Sequence, residues 1–137
     1  RPMSVTGSCL CSAVRFEVNG PLRPVIACHC VQCRKTSGHH VAATSALRSD
    51  VDVHGEVTWF ASSKDARRGF CSTCGSNLFW DGPGVNLSIF AGTLDGSTGL
   101  ELAGHIFCDA KGDYYEIEGD LPKAGGVDPA LTTQVRD

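Results

Sequence analysis

From Val14 to Val18 the chain alternates apolar and polar residues one for one, with Val14, Phe16 and Val18 on one parity and Arg15 and Glu17 on the other. A period of two is the mark of a half-buried strand, and it is read here over 9–18, "CLCSAVRFEV". On such a strand Cys9 and Cys11 point the same way, which aims both thiols of a C-x-C pair at one place. After "NGP" a short apolar run, "VIAC", leads into Cys28, and 31–38, "VQCRKTSG", reads as a helical turn stopped at Gly38. Beyond it come short strand candidates set apart by Gly, Asp and Ser: "HVAATSALR", "VDVHG", "VTWFAS", "RRGF", "NLFWD", "VNLSIFAGTL", "LAGHIFC" and "YYEIEG". Short strands at this cadence, with no long helical period, predict an all-β domain. Periodicity fails in "AGGVDPALTTQVRD", so one unit is expected over 4–123 and a loose tail over 124–137.

Composition changes that picture in two ways. A chain of 137 residues buries a core without help from disulfides. Its formal charge of −3, with scattered basic residues, argues against a phosphate-binding face and so against nucleic acid. No apolar stretch reaches membrane-spanning length, and no signal-peptide pattern opens the chain, so a soluble, cytoplasmic protein with no membrane partner is expected. Arg1 and Pro2 precede Met3 and are set aside as additions ahead of the natural start.

Eight cysteines in a chain expected to be intracellular point to metal or catalysis before disulfides. Seven of them cluster, as Cys9-x-Cys11, Cys28-x-Cys30-x-x-Cys33 and Cys71-x-x-Cys74, and divide as four plus three. The two pairs suit a closed tetrahedral zinc site that draws distant parts of the chain together, and Gly75 allows the tight turn around the second pair. Zinc bound in such a site contributes on the order of 10 kcal/mol to folding. The triplet offers three thiolates and a fourth position. Cys108 or one of His29, His39, His40 and His105 closes that position in one reading, and a water or substrate takes it in the other. For Cys108 itself an inert thiol on an apolar strand is the simpler expectation. The side chain of His29 is expected to diverge from its neighbours, either behind the ligands or into solvent.

Charge decides what an open site of this kind suits. Three thiolates on a dication leave −1, which makes a poor generator of hydroxide and a good partner for a soft substrate thiol. That points to chemistry at a carbon–sulfur bond. Arg34 and Lys35 follow Cys33 directly and either offset this charge, hold a substrate carboxylate, or are solvated surface cations. "GHH" at 38–40 is near enough to line a pocket, although loop histidines are more often exposed or hydrogen-bonded. No G-x-S-x-G, P-loop or H-E-x-x-H motif is present, and Trp59 and "LFW" read as core aromatics.

The run "GSCLCSAVRFEV", "CHCVQCRKTSG", "RRGFCSTCGSNLFW", "AGTLDG" and "HIFC" resembles the glutathione-dependent formaldehyde-activating enzyme family, which includes centromere protein V, over roughly residues 7–122. The resemblance implies a β-tent of two antiparallel sheets and two zinc ions per chain. It places a structural zinc on Cys9, Cys11, Cys71 and Cys74 and a catalytic one on Cys28, Cys30 and Cys33. The activity it implies is formation of S-hydroxymethylglutathione from formaldehyde and a small thiol, glutathione, a carbon–sulfur lyase reaction when reversed. Cys108 stands where the family usually has an aliphatic residue or Thr, and Gly112-Asp113-Tyr114 where it often has Pro-Trp. Arg34, Lys35, His39 and His105 are the candidates for holding substrate. Two alternatives stand beside the enzyme: a non-enzymatic zinc module that binds another protein, and a redox-sensing or zinc-carrying cluster.

Overall fold

The computed structural model describes residues 4–133. Ten strands and two short helices follow one another as β1 (Ser4–Ser8), β2 (Arg15–Asn19), β3 (Val25–Cys28), α1 (Val31–Ser37), β4 (Val41–Leu47), β5 (Val51–His54), β6 (Thr58–Ser63), β7 (Ala66–Phe70), β8 (Asn77–Asp81), β9 (Asn86–Phe90), β10 (Leu102–Ile106) and α2 (Pro129–Thr132). They make two sheets: three strands in the order β1-β2-β5, and seven in the order β10-β3-β4-β9-β8-β7-β6. Every pairing is antiparallel except β10 with β3. The all-β expectation therefore holds. Among the described residues no helix is long and apolar enough to cross a membrane.

Period-two alternation decides what each face of the large sheet meets. On β9, Leu87 and Ile89 face the core shared with β2, while Ser88 and Phe90 line a cavity on the other side. β2 sends Phe16 and Val18 into the same core. There the rings of Phe16 and Phe79 meet edge to face, with centroids 5.1 Å apart. Gly7 makes this contact close: a Cβ at that position would lie 2.1 Å from the Phe16 ring, so only glycine lets the ring lie over β1. The two sheets are further joined where Asp95 N–H donates to the Thr6 carbonyl and the Thr6 and Ser8 hydroxyls donate to the Asp95 carboxylate.

Three expectations about elements are corrected. Cys9 and Cys11 are not on a strand; the strand begins at Arg15, and 9–14 form a turn closed by Cys9 N–H to Val14 carbonyl and Ser12 N–H to Cys9 carbonyl, with Ser12 at φ 67°. "YYEIEG" is not a strand, because Tyr114 and Tyr115 are held by histidine side chains and not by a sheet edge. Residues 124–133 are not loose: Ala124 N–H donates to the His105 carbonyl, Phe107 N–H donates to the Gly126 carbonyl, and Leu131 of α2 is buried over Gly104. Residues 134–137 of that expected tail lie outside the described residues.

Candidate metal centres and the cavity

The first cluster is built by two turns. Cys9 and Cys11 come from the β1–β2 turn of the small sheet, and Cys71 and Cys74 from the β7–β8 turn of the large one. Cys71 N–H donates to the Ser76 carbonyl and Gly75 N–H to the Cys71 carbonyl, with Gly75 at φ 80°, a conformation that glycine adopts without steric cost. The turns are also tied to each other, since Leu10 N–H donates to the Ser76 hydroxyl. All four sulfurs lie within 4.8 Å of one another. Two neighbouring pairs, Cys9–Cys11 and Cys11–Cys71, are 3.7 and 3.8 Å apart. A tetrahedron with metal–sulfur bonds of about 2.3 Å has edges of about 3.8 Å, so this donor set fits such an ion. All eight cysteines are free of disulfides. Hydrogen bonds from the Ser76 side chain and backbone hold the Cys74 thiol at a pKa of about 5, so it is ready to ligate as thiolate.

The second cluster is local. Cys28 ends β3, Cys30 caps α1, and Cys33 lies one turn into that helix. The Cys30 sulfur accepts from Cys33 N–H at 3.3 Å, and α1 ends at Gly38, whose φ of 87° lets its N–H reach the Arg34 carbonyl. Contacts from the Cys28 and Cys33 thiols, together with backbone N–H groups at the start of α1, push Cys30 down to about 2, while Cys28 is pushed up as their partner. The three sulfurs lie within 4.8 Å of one another, and no other cysteine, histidine or carboxylate among the described residues joins them at that range. Cys108 sits elsewhere, in a 3-10 turn after β10, half-buried and with its thiol pushed up by burial.

All three of these cysteines line a cavity of about 710 Å³ on the outer face of the large sheet. Ile26, Val41, Trp80, Phe90, Ile106 and Phe107 supply its apolar wall, and α2 contributes Thr132 at its edge. Phe107 takes a φ of 56°, unusual for a bulky residue, and is held there by its N–H bond to Gly126 and by Ala110 N–H donating to its carbonyl. Two arginines reach the cavity from opposite sides. Arg23 is buried and donates to the carbonyls of Pro24, Ala43 and Thr132. Arg68, on β7, is 5% exposed; its Nη2 donates to Gln32 Oε1 at 3.3 Å and to Cys33 Sγ at 3.8 Å.

The four expected substrate contacts are placed elsewhere. Arg34, Lys35, His39 and His105 do not line the cavity. His105 and His39 belong to a separate cluster of rings with His29, His40, Tyr114 and Tyr115. His29 is fully buried; its Nδ1 is 2.5 Å from the Tyr115 hydroxyl and its Nε2 is 3.0 Å from His105 Nδ1. The His29 ring thus diverges from its neighbours, and it points into protein, not solvent. Burial, reinforced by the rings of His40 and His105, pushes it down to about 4. The Gly112–Tyr114 segment borders this cluster and not the cavity. Arg68 escaped sequence reading because "RRGF" shows two like charges. Strand parity separates them: Arg67 goes to Asp81 and the face of Trp59, and Arg68 goes inward beside Trp80.

Fold and site together define an all-β protein with two cysteine clusters able to hold metal ions, one of which opens on a cavity. Residues 4–110 match the family model described as glutathione-dependent formaldehyde-activating enzyme, and the chain belongs to that family. A relative from Halomonas elongata, provisionally named as such an enzyme, is 34% identical over 132 residues, covering 85% of this chain and 82% of the relative. An uncharacterized lyase from Schizosaccharomyces pombe is 32% identical over 75 residues, covering 54% and 55% of the two chains.

Proposed function

We propose that the chain is a zinc-dependent enzyme that joins a small thiol, glutathione or a close analogue, to an aldehyde, and runs in reverse as a carbon–sulfur lyase. The observation that carries this reading is the Cys28/Cys30/Cys33 cluster at the wall of the cavity, three soft donors with no fourth protein ligand in reach among the described residues. Cys9, Cys11, Cys71 and Cys74 would hold a structural zinc and the triplet a catalytic one, and the paired sheets suit the β-tent expected of the family. When bound, zinc supplies a site at which a substrate thiol is kept deprotonated at neutral pH.

The chain's own residues do the rest. Cys30, as cap of α1, is fixed by Cys33 N–H, so the ligand loop is preorganised and not ordered on binding. Arg68 donates to Cys33 and offsets the negative charge that three thiolates place at the wall. The test is a calorimetric titration of zinc-loaded protein with glutathione, cysteine and S-methylglutathione. Thiol-dependent binding of glutathione supports the reading, and formaldehyde turnover is measured next. No heat with any thiol refutes it and turns attention to a non-enzymatic, protein-binding role.

A further inference from the structure

The cavity is large for a one-carbon aldehyde. Its volume of about 710 Å³ lies within the range of roughly 300–1,000 Å³ typical of sites for drug-sized ligands. Seven of its lining side chains are large and apolar, and among the described residues no acidic side chain lines it. Arg68 is the second observation. It is buried and lines the cavity, and while Nη2 is engaged by Gln32 and Cys33, Nε and Nη1 meet no acceptor among the described residues. Asp81, the nearest acid on the partner strand β8, is already taken by Arg67 and Arg48. A buried guanidinium with two unmet donors is costly, and an oxygen acceptor on a ligand removes that cost.

From these two observations we propose that the cavity takes an aldehyde with an apolar body, aromatic or medium-chain, whose carbonyl oxygen accepts a hydrogen bond from Arg68 beside Cys33. This rests on the thiol-addition reading and names its electrophile. In the step, the thiol gives its proton to solvent, a sulfur–carbon bond forms, and the carbonyl π pair moves onto oxygen. That oxygen is stabilised by Arg68 N–H and then takes a proton from water. The product is the hemithioacetal, with no change of oxidation state overall.

The probe is benzamide, an unreactive carbonyl on an apolar body, titrated calorimetrically into the zinc-loaded full chain with glutathione titrated in parallel. Benzamide binding that weakens at least tenfold in Arg68→Met and recovers in part in Arg68→Lys is expected, with zinc content and melting unchanged. Ser88→Phe, which fills the wall without touching Arg68, should also abolish it. In turnover, benzaldehyde should exceed formaldehyde in kcat/KM, and Arg68→Met should lower kcat by about 10²–10³ with the KM for thiol unchanged. No benzamide binding by the native chain, or equal binding in Arg68→Met, overturns the proposal. If that happens while glutathione still binds, the thiol reading survives and only the electrophile is wrong. Benzamide binding that depends on Arg68, without glutathione binding, keeps the cavity assignment and removes the thiol reading.

Discussion

Cys30 and Cys71 are the same residue type in two different mechanical roles, and single substitutions should separate them. On the proposed assignment, Cys30→Ser removes one of the triplet's three donors while Gly38 still caps the far end of α1, so the expected outcome is loss of one metal ion per chain by metal analysis with melting little changed. Cys71 is buried where the two turns meet, and its sulfur lies 3.8 Å from that of Cys11, 60 positions away. On the proposed assignment, Cys71→Ser should remove the other metal ion and cost several kcal/mol, read as a large fall in Tm, because an ion held by these four cysteines would join the two sheets. Residue type and spacing made both clusters legible in the sequence. The inward turn of Arg68 was not, since two adjacent arginines look alike until strand register assigns them opposite faces.

At the scale of elements, the core depends on β2 meeting β8 through Phe16 and Phe79, both buried to 2% exposure or less. Phe79→Ala should cost about 3–5 kcal/mol in denaturant unfolding, from lost burial and the cavity left behind. β2 was legible because alternation survives where one face is buried and the other is not, whereas β4, covered on both faces, was marked only by a short apolar run between turn residues. "CLC" misled because its residues alternate like a strand, yet the metal-binding geometry is met by a turn. "YYEIEG" misled because β-forming residues there are bound by side chains, which no periodicity records. The pinned segment after Lys123 was also invisible, because it is held by backbone hydrogen bonds to 105–109 and by one leucine seated on Gly104, neither of which leaves a periodic pattern.

For the molecule as a whole, the histidine cluster sets an acid limit. Free imidazoles titrate near 6.5, whereas burial pushes His29 down to about 4 and lowers His40 and His105. Below about pH 6.5 the unfolded chain therefore binds more protons than the folded one, so stability falls as pH drops toward 4 and is unaffected by these groups above 6.5. Thermal melts across that window, with zinc content followed in parallel, should show the decline before metal is lost, and His105→Asn should flatten it. On the proposed metal assignment, a chelator at neutral pH should act differently, stripping metal in two steps and lowering Tm mainly in the second, when the four-cysteine clip between the sheets is emptied.

Sequence by itself determined the fold class and the division of cysteines into four and three, because alternation and ligand spacing are local properties that survive without knowledge of contacts. Only the tertiary structure decided that the four cysteines join two sheets, that the triplet opens on an apolar cavity, and that Arg68 rather than Arg34 or Lys35 reaches it. Those outcomes depend on which face of which strand meets which, and the parallel pairing of β10 with β3 and the register of β7 on β8 are set by packing between residues far apart in the chain.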